Sequence, residues 1–362
     1  MSLSTGIDAP FSSVKIVGSG LIGTSIGLAL SAIGLKVEMK DADERTERLA
    51  QDLVKSVKLP NPELVIFALP TNALTEVLER EIKLNPEARF IDIGSVKVKP
   101  LLEVSRSSMA KGRFLATHPM AGREVAGAES ARADLFDSRT WVYISTDLDG
   151  GPVEQKLLDW GLWMIQALGA TPVAMTAPEH DAAVALVSHL PQAVASLLAS
   201  QLRSGDLAAL ELSGAGLRDT VRIAGSSPEL WDEILRANAS ELLPLLINLQ
   251  SDLGAFIETL QRGDSVSSFI ANGNQGRALI PGKHGGAARE YTLLPVVIED
   301  KPGQLAALFE ECAIAKVNVE DLSIEHSPGQ FTGLITLALS KSDALVLSAH
   351  LIKSGWNVHS PR

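Results

Sequence analysis

Val14-Lys15-Ile16-Val17-Gly18-Ser19-Gly20-Leu21-Ile22-Gly23 is the stretch that decides the fold. A β-branched run meets three glycines spaced G-x-G-x-x-G, and an apolar helical pattern follows through Thr24 to Leu30. The glycines alone are a weak signal; their strand–turn–helix setting makes them a dinucleotide-binding signature. Gly18 permits a tight turn, Gly20 lets a pyrophosphate approach the backbone, and Gly23 lets the helix pack on the strand. Leu21 and Ile22 open that helix, whose free N–H groups and positive dipole end suit a phosphate. A glycine-rich turn in an ordinary βα unit is the bland alternative.

Outward from this loop, Lys36–Lys40 reads as a second strand ending at Asp41, 18 residues beyond Gly23. A carboxylate there binds the adenosine ribose hydroxyls and repels a 2′-phosphate, which favours NAD; Arg45 nearby keeps NADP open. Leu64–Leu69 is almost continuously apolar, as a parallel strand buried on both faces should be. It stops at Pro70-Thr71, so Leu69, Pro70 and Thr71 fall in a loop at a strand's C-terminal end, where such sheets bind ligands. Phe90–Ile93, Phe114–Thr117, Trp141–Ser145 and Thr171–Met175 are further strands, with a helix from about Pro152 to Leu168. This alternation predicts a Rossmann-type doubly wound α/β sheet over residues 1–175.

The texture changes at Thr176, where Thr176 and Glu179 form a capping-box pair with Pro178 in the first turn. Residues 176–280 read as an all-helical domain, with Pro191 and Pro244 expected to interrupt helices. Its Ala- and Leu-rich content exceeds the needs of one surface layer, which points to a helical core shared between two subunits. Ala271–Ala288 carries five glycines and two asparagines, a linker composition, and the linker proper is placed at 281–289. From 290 to 362 the order β-α-β-β-α-β predicts a ferredoxin-like unit.

The chain has 362 residues, 46% hydrophobic and 21% charged, with a formal charge of −11. That balance describes a folded protein with little nonspecific attraction to nucleic acid or anionic lipid. An anionic ligand therefore needs a local cluster of arginines. Cys312 is the single cysteine, which rules out an intramolecular disulfide framework, and no metal-binding spacing is present. Met1 to Pro10 lacks the basic and apolar regions of a signal peptide, and no apolar run of 18 residues is evident. The expectation is a cytoplasmic protein without membrane contact.

Several residues could carry chemistry. His118 follows a strand and precedes a proline; it can serve as a base at neutral pH or be a plain turn histidine. Ser95, after a neighbouring strand, could orient a histidine or a substrate hydroxyl. Ser188 and Gln192 are four apart in a helix broken by Pro191, a polar patch in an apolar setting, with His189 between them. Arg218 and Arg222, four apart, supply the cationic cluster that a carboxylate substrate requires, or are solvated surface arginines. Trp231 walls a pocket or fills core.

Taken in order, VGSGLIGTSIGLAL (17–30), IDIGSVK (91–97), ATHPMAGRE (116–124), VSHLP (187–191) and GLRDTVRIA (216–224) resemble the prephenate/arogenate dehydrogenase family. The tail from Val296, VVIEDKPGQLAALFEECAIAKVNVEDLSIEH, resembles an ACT regulatory domain. The resemblance implies NAD(P)-dependent oxidative decarboxylation of prephenate to 4-hydroxyphenylpyruvate, or of arogenate to tyrosine. It implies that His118 takes the proton of the ring hydroxyl, that Ser95 helps hold that hydroxyl and His118, and that Arg222 binds a carboxylate. Ser188, Gly216 and Trp231 would line the pocket, in a homodimer. Tyrosine would act as effector around Asp300, Pro302, Gly303, Leu305 and Asn318. Two positions depart from the family pattern: Gln192 replaces a common second histidine, and Arg123 replaces a small residue. Both bear on whether the pocket recognises the pyruvyl ketone of prephenate or the alanyl ammonium of arogenate. A β-hydroxyacid dehydrogenase reading is disfavoured, because no lysine stands between Lys156 and Lys283. A non-catalytic NAD sensor would have no use for a base.

Overall fold

The computed structural model describes residues 9–106, 110–122, 127–280, 291–326 and 332–361. The chain divides into two compact units, 1–252 and 253–362.

The first unit begins with β1 (Ser13–Val17), α1 (Leu21–Ala32), β2 (Lys36–Lys40), α2 (Glu44–Val54), β3 (Leu64–Phe67) and α3 (Thr71–Leu84). It continues through β4 (Arg89–Asp92), α4 (Val98–Ser105), β5 (Phe114–Pro119), β6 (Thr140–Ile144), α5 (Gln155–Ala167) and β7 (Thr171–Ala174). The sheet order is β2-β1-β3-β4-β5-β6-β7. Residues of β3 alternate between two apolar layers: Leu64 and Ile66 face α1, α2 and α5, whereas Val65 and Phe67 face α3 and α4. All four are fully buried, which is why the strand reads as an unbroken apolar run.

One departure from a doubly wound parallel sheet occurs at β6, which pairs antiparallel with β5. Among the described residues no crossover helix joins them, only a short turn at Ala128–Ser130, and the chain returns in the opposite direction; α5 then restores a parallel pairing between β6 and β7. The order reverses between β1 and β3, the switch point at which such sheets open a crevice above their C-terminal ends.

The helices that follow in this unit are α6 (Ala177–Val184), α7 (Leu190–Gln201), α8 (Leu207–Leu210), α9 (Ala215–Val221) and α10 (Pro228–Ala237). The capping box of Thr176 and Glu179 starts α6. Ala177, His180, Asp181 and Val184 are its buried residues, the spacing of one helical face. Pro191 does not end the helix. It removes the N–H that would serve the Val187 carbonyl, and the preceding turn, Ala185–His189, widens to a π turn. The whole run 177–204 is therefore helical, 28 residues with a mean hydropathy of 1.6 in its most apolar window. By length and composition alone it could cross a membrane, contrary to the sequence reading. It also buries His180, Asp181, His189 and Gln192, polar groups that a lipid-facing span would not carry.

Pro244 also fails to interrupt a helix: it lies inside α11 (Ala239–Gln261). The division between the two compact units falls within α11. α12 (Ser267–Ala278) follows, and Phe256 and Phe269 meet edge-on at 5.3 Å within the second unit. The glycines and asparagines at 272–276 are thus helical rather than linker, and the linker segment 281–289 lies outside the described residues. The second unit ends with β8 (Thr292–Glu299), α13 (Gln304–Ile314), β9 (Asp321–His326), β10 (Thr332–Leu339), α14 (Lys341–Lys353) and β11 (Asn357–Val358). The strands form an antiparallel sheet ordered β11-β8-β10-β9. Leu308 and Cys312 of α13 pack with Leu347 and Leu351 of α14 over Val296, Ile335 and Leu337. Cys312 is a buried helical thiol whose pKa burial pushes up.

Candidate active site

A cavity of about 700 Å³ lies in the first unit, above the C-terminal ends of β1, β3, β4 and β5. Its floor on the nucleotide side is Gly20, Leu21, Ile22 and Gly23, with Leu69, Pro70 and Thr71 opposite. The turn is tight. Gly18 has φ +107°, and a Cβ there would meet the Ala68 carbonyl oxygen at 2.1 Å. A Cβ on Gly23 would meet the Gly18 oxygen at 2.0 Å, so helix and turn touch directly. Gly20 differs: a Cβ there would project into open space, the space a pyrophosphate needs. No side chain caps α1, which leaves its first-turn N–H groups to a ligand. At the end of β2, the Asp41 carboxylate accepts from the Ser19 N–H at 2.6 Å and the Asp43 N–H at 2.9 Å. It is thereby held beside the glycine turn, although Asp41 and Gly18 do not themselves line the cavity. These residues fit a dinucleotide.

Across the cavity, His118 sits at the end of β5 between Thr117 and Pro119. Its Nδ1 lies 2.9 Å from Nε2 of His180, and Nδ1 of His180 lies 2.7 Å from Oδ1 of Asp181. The carboxylate can only accept, so His180 donates from Nδ1 and accepts at Nε2. That makes Nδ1 of His118 a donor and leaves Nε2 of His118 with a free lone pair, the form a base requires. Asp181 is itself fixed by the backbone N–H groups of Lys97 and Val98 at 2.8 and 2.9 Å. Burial drives the His118 pKa well below its ordinary value, and His180, Lys97 and His189 push it the same way. His118 is thus neutral and ready to accept a proton.

The π turn brings Ser188 and His189 to the cavity, and the start of α7 brings Gln192. Nδ1 of His189 accepts from the Asn238 side chain at 3.1 Å, and its ring meets Trp231 edge-on with centroids 6.1 Å apart. Burial lowers the His189 pKa to about 4 despite the opposing effect of Asp181. Gln192 donates to the Ile223 carbonyl at 3.0 Å, which ties α7 to the segment that carries Arg222. Arg222 and Trp231 line the cavity. Glu233 lines it too and accepts from the Asn72 N–H at the start of α3 at 2.8 Å.

Some predicted members are placed elsewhere. Gly216 lies on the exposed α9 outside the cavity. Arg222 lines the cavity and Arg218 does not; α9 ends at Val221 and a tighter turn begins at Arg222. Ser95 lines the cavity, but among the described residues the ring of His118 is bonded to His180 rather than to Ser95. Arg123 lies outside the described residues. His180, Asp181, His189, Asn238 and Glu233 were not predicted as site residues. The capping box at Thr176 sets the phase of α6, and that phase alone places His180 and Asp181 on the buried side.

A glycine-loop nucleotide fold whose cleft holds a neutral, carboxylate-backed histidine defines an NAD-dependent oxidoreductase. The comparisons with known proteins narrow the class. The family model for the prephenate dehydrogenase nucleotide-binding domain matches residues 26–155, and the model for its dimerization domain matches residues 176–270. A probable prephenate dehydrogenase, NovF, of Streptomyces niveus is 30% identical over 95% of this chain and 99% of that one. A prephenate dehydrogenase of Bacillus subtilis is 25% identical over 91% of this chain and 92% of its own length. Among solved structures, Synechocystis arogenate dehydrogenase aligns at TM-score 0.60 and 25% identity, covering 73% of this chain and 98% of that one. Prephenate dehydrogenase from Aquifex aeolicus, solved with hydroxyphenyl propionate and NAD+, has the same fold: TM-score 0.65, 23% identity, 76% of this chain and 99% of that one. The chain belongs to the prephenate dehydrogenase family.

Proposed function

We propose that this protein is an NAD-dependent prephenate dehydrogenase, which converts prephenate to 4-hydroxyphenylpyruvate and CO₂. The observation that carries this reading is the meeting, in one cavity, of the glycine loop, His118 and Arg222, with His180 and Asp181 buried behind the ring of His118. Gly20 and the α1 N-terminus would hold the pyrophosphate, with Asp41 at the adenosine ribose. NAD, when bound, takes the hydride from the ring carbon that bears the hydroxyl. Nε2 of His118 accepts the hydroxyl proton as that carbon becomes a carbonyl, and the positive charge is shared toward Asp181 through His180. Loss of CO₂ leaves a phenolate, to which His118 returns the proton, so the chemistry closes without a net proton. Arg222 binds a substrate carboxylate; a guanidinium matches it in two parallel hydrogen bonds. Ser188, Gln192, Trp231 and Ser95 shape the remaining wall.

Arogenate is the second substrate reading. It is favoured by Glu233, a carboxylate on the cavity wall that could face an ammonium, and by the neutral Gln192. The deciding experiment assays purified protein side by side with prephenate and arogenate, each with NAD and NADP. Turnover of prephenate with NAD to 4-hydroxyphenylpyruvate is expected; no turnover in any of the four combinations would refute the assignment.

The helices leave Leu186, Val187, Leu197, Leu243 and Ile247 more than half exposed in the single chain, which supports a homodimer formed through this region. For residues 290–362, the strand order and the two helices on one face support the ferredoxin-like ACT reading. Gly303, at φ +89°, turns the chain into α13 after Asp300 and Pro302; Leu305 packs on the core beneath, and Asn318 donates to Glu320 at 3.0 Å. Tyrosine is the proposed effector there.

A further inference from the structure

Beside the cavity lies a buried charge that the reaction does not consume. Lys97 has no exposed surface, and its Nζ donates to the Asp92 carboxylate and, at 2.6 Å, to the Thr117 carbonyl. Burying an ammonium at the C-terminal end of the central strands is costly, and a well-packed apolar chain would often stabilise the fold as well or better. Packing alone therefore does not account for it. The bonds around it form a closed circuit. The side chain of Lys97 holds Thr117, which is peptide-bonded to His118; His118 meets His180, and His180 meets Asp181. Asp181 accepts from the backbone N–H of Lys97 itself, which returns the circuit to its start.

We propose that Lys97 is a positioning residue for His118, its ammonium pinning the strand that carries the base while its backbone anchors the carboxylate that orients the base. This rests on the reading of His118 as the proton acceptor. Among the described residues, the charged and titratable groups around His118 are His180 and Asp181 from α6, His189 from the π turn, Asp92 from β4 and Lys97 itself. Arg222 and Glu233 line the same cavity. Within that set the Lys97 ammonium disfavours a second positive charge on His118, and Asp92 offsets part of its field.

Lys97→Met keeps the chain length and the backbone N–H but removes the ammonium. Turnover should fall about 10- to 10²-fold, the scale of a misplaced reacting group. The substrate KM and NAD affinity should stay within about twofold. The acid limb of kcat/KM, and the His118 ring titration followed by NMR, should move up toward the ordinary histidine value. Asp92→Asn leaves the ammonium uncompensated and should move the same titration down. An unchanged ring titration in folded Lys97→Met would overturn the proposal; if that variant does not fold, an unchanged titration in Asp92→Asn does so. The NMR titration needs no turnover, so an inactive wild-type protein would sink the functional assignment without deciding the role of Lys97.

Discussion

His118 owes its chemistry to neighbours that are 62 and 63 residues away in the chain, His180 and Asp181. His118→Ala should cut kcat by about 10²–10⁴-fold, the usual contribution of a general base, with NAD binding unchanged by calorimetry. Asp181→Asn removes the acceptor that sets both tautomers, and a loss of about 10²-fold or more in kcat is expected. Full activity in either variant would contradict the relay. Because the folded pKa of His118 is depressed, the base form persists below the ordinary histidine range, and the acid limb of kcat/KM should lie below pH 6.5. The same sign governs stability through His189. The unfolded chain takes up a proton near 6.5 and the folded one only near 4, so stability is complete above pH 6.5 and declines between those values. Denaturant midpoints measured from pH 7 to 4.5 should fall accordingly. His118 stood out in the sequence as a candidate because it was read as following a strand and precedes a proline, and it lines the cavity. His180 and Asp181 were not: two adjacent polar residues in a helix carry no sign of what lies across the cleft.

Among the elements, the nucleotide-binding half was the most legible, since strands such as β1 and β3 are short, largely apolar runs that stop at glycine- or proline-bearing turns. The reversal at β6 was not, because direction depends on how a loop returns and not on the apolar pattern. Likewise the prolines at 191 and 244 read as breaks, whereas the helices pass through both. Phe67 stacks on Phe90 at 5.9 Å in a fully buried layer, and Phe67→Ala should cost about 3–5 kcal/mol by chemical denaturation.

On the scale of the whole molecule, the exposed apolar side chains of α7 and α11 lead to a prediction about assembly. Ile247→Glu combined with Leu243→Glu should convert a dimer to monomer in analytical ultracentrifugation; a dimer that survives would place the interface elsewhere. In the second unit, Gly303→Val forces a side chain into a left-handed backbone; if tyrosine binds there as proposed, calorimetry should show weaker binding to the variant while turnover without tyrosine stays intact. The β-α-β-β-α-β order of its elements was legible from turn signals and alternation, whereas the division of the chain within α11 was not, since no break in the sequence marks it. The π turn has two opposite duties: His189 points inward at 1% exposure, while Leu186 and Val187 stand outward at 56% and 64%. Whatever covers those two leucine and valine side chains presses on the same five residues that hold the pocket wall. Specific activity should therefore depend on enzyme concentration, falling on dilution and returning when the sample is concentrated again.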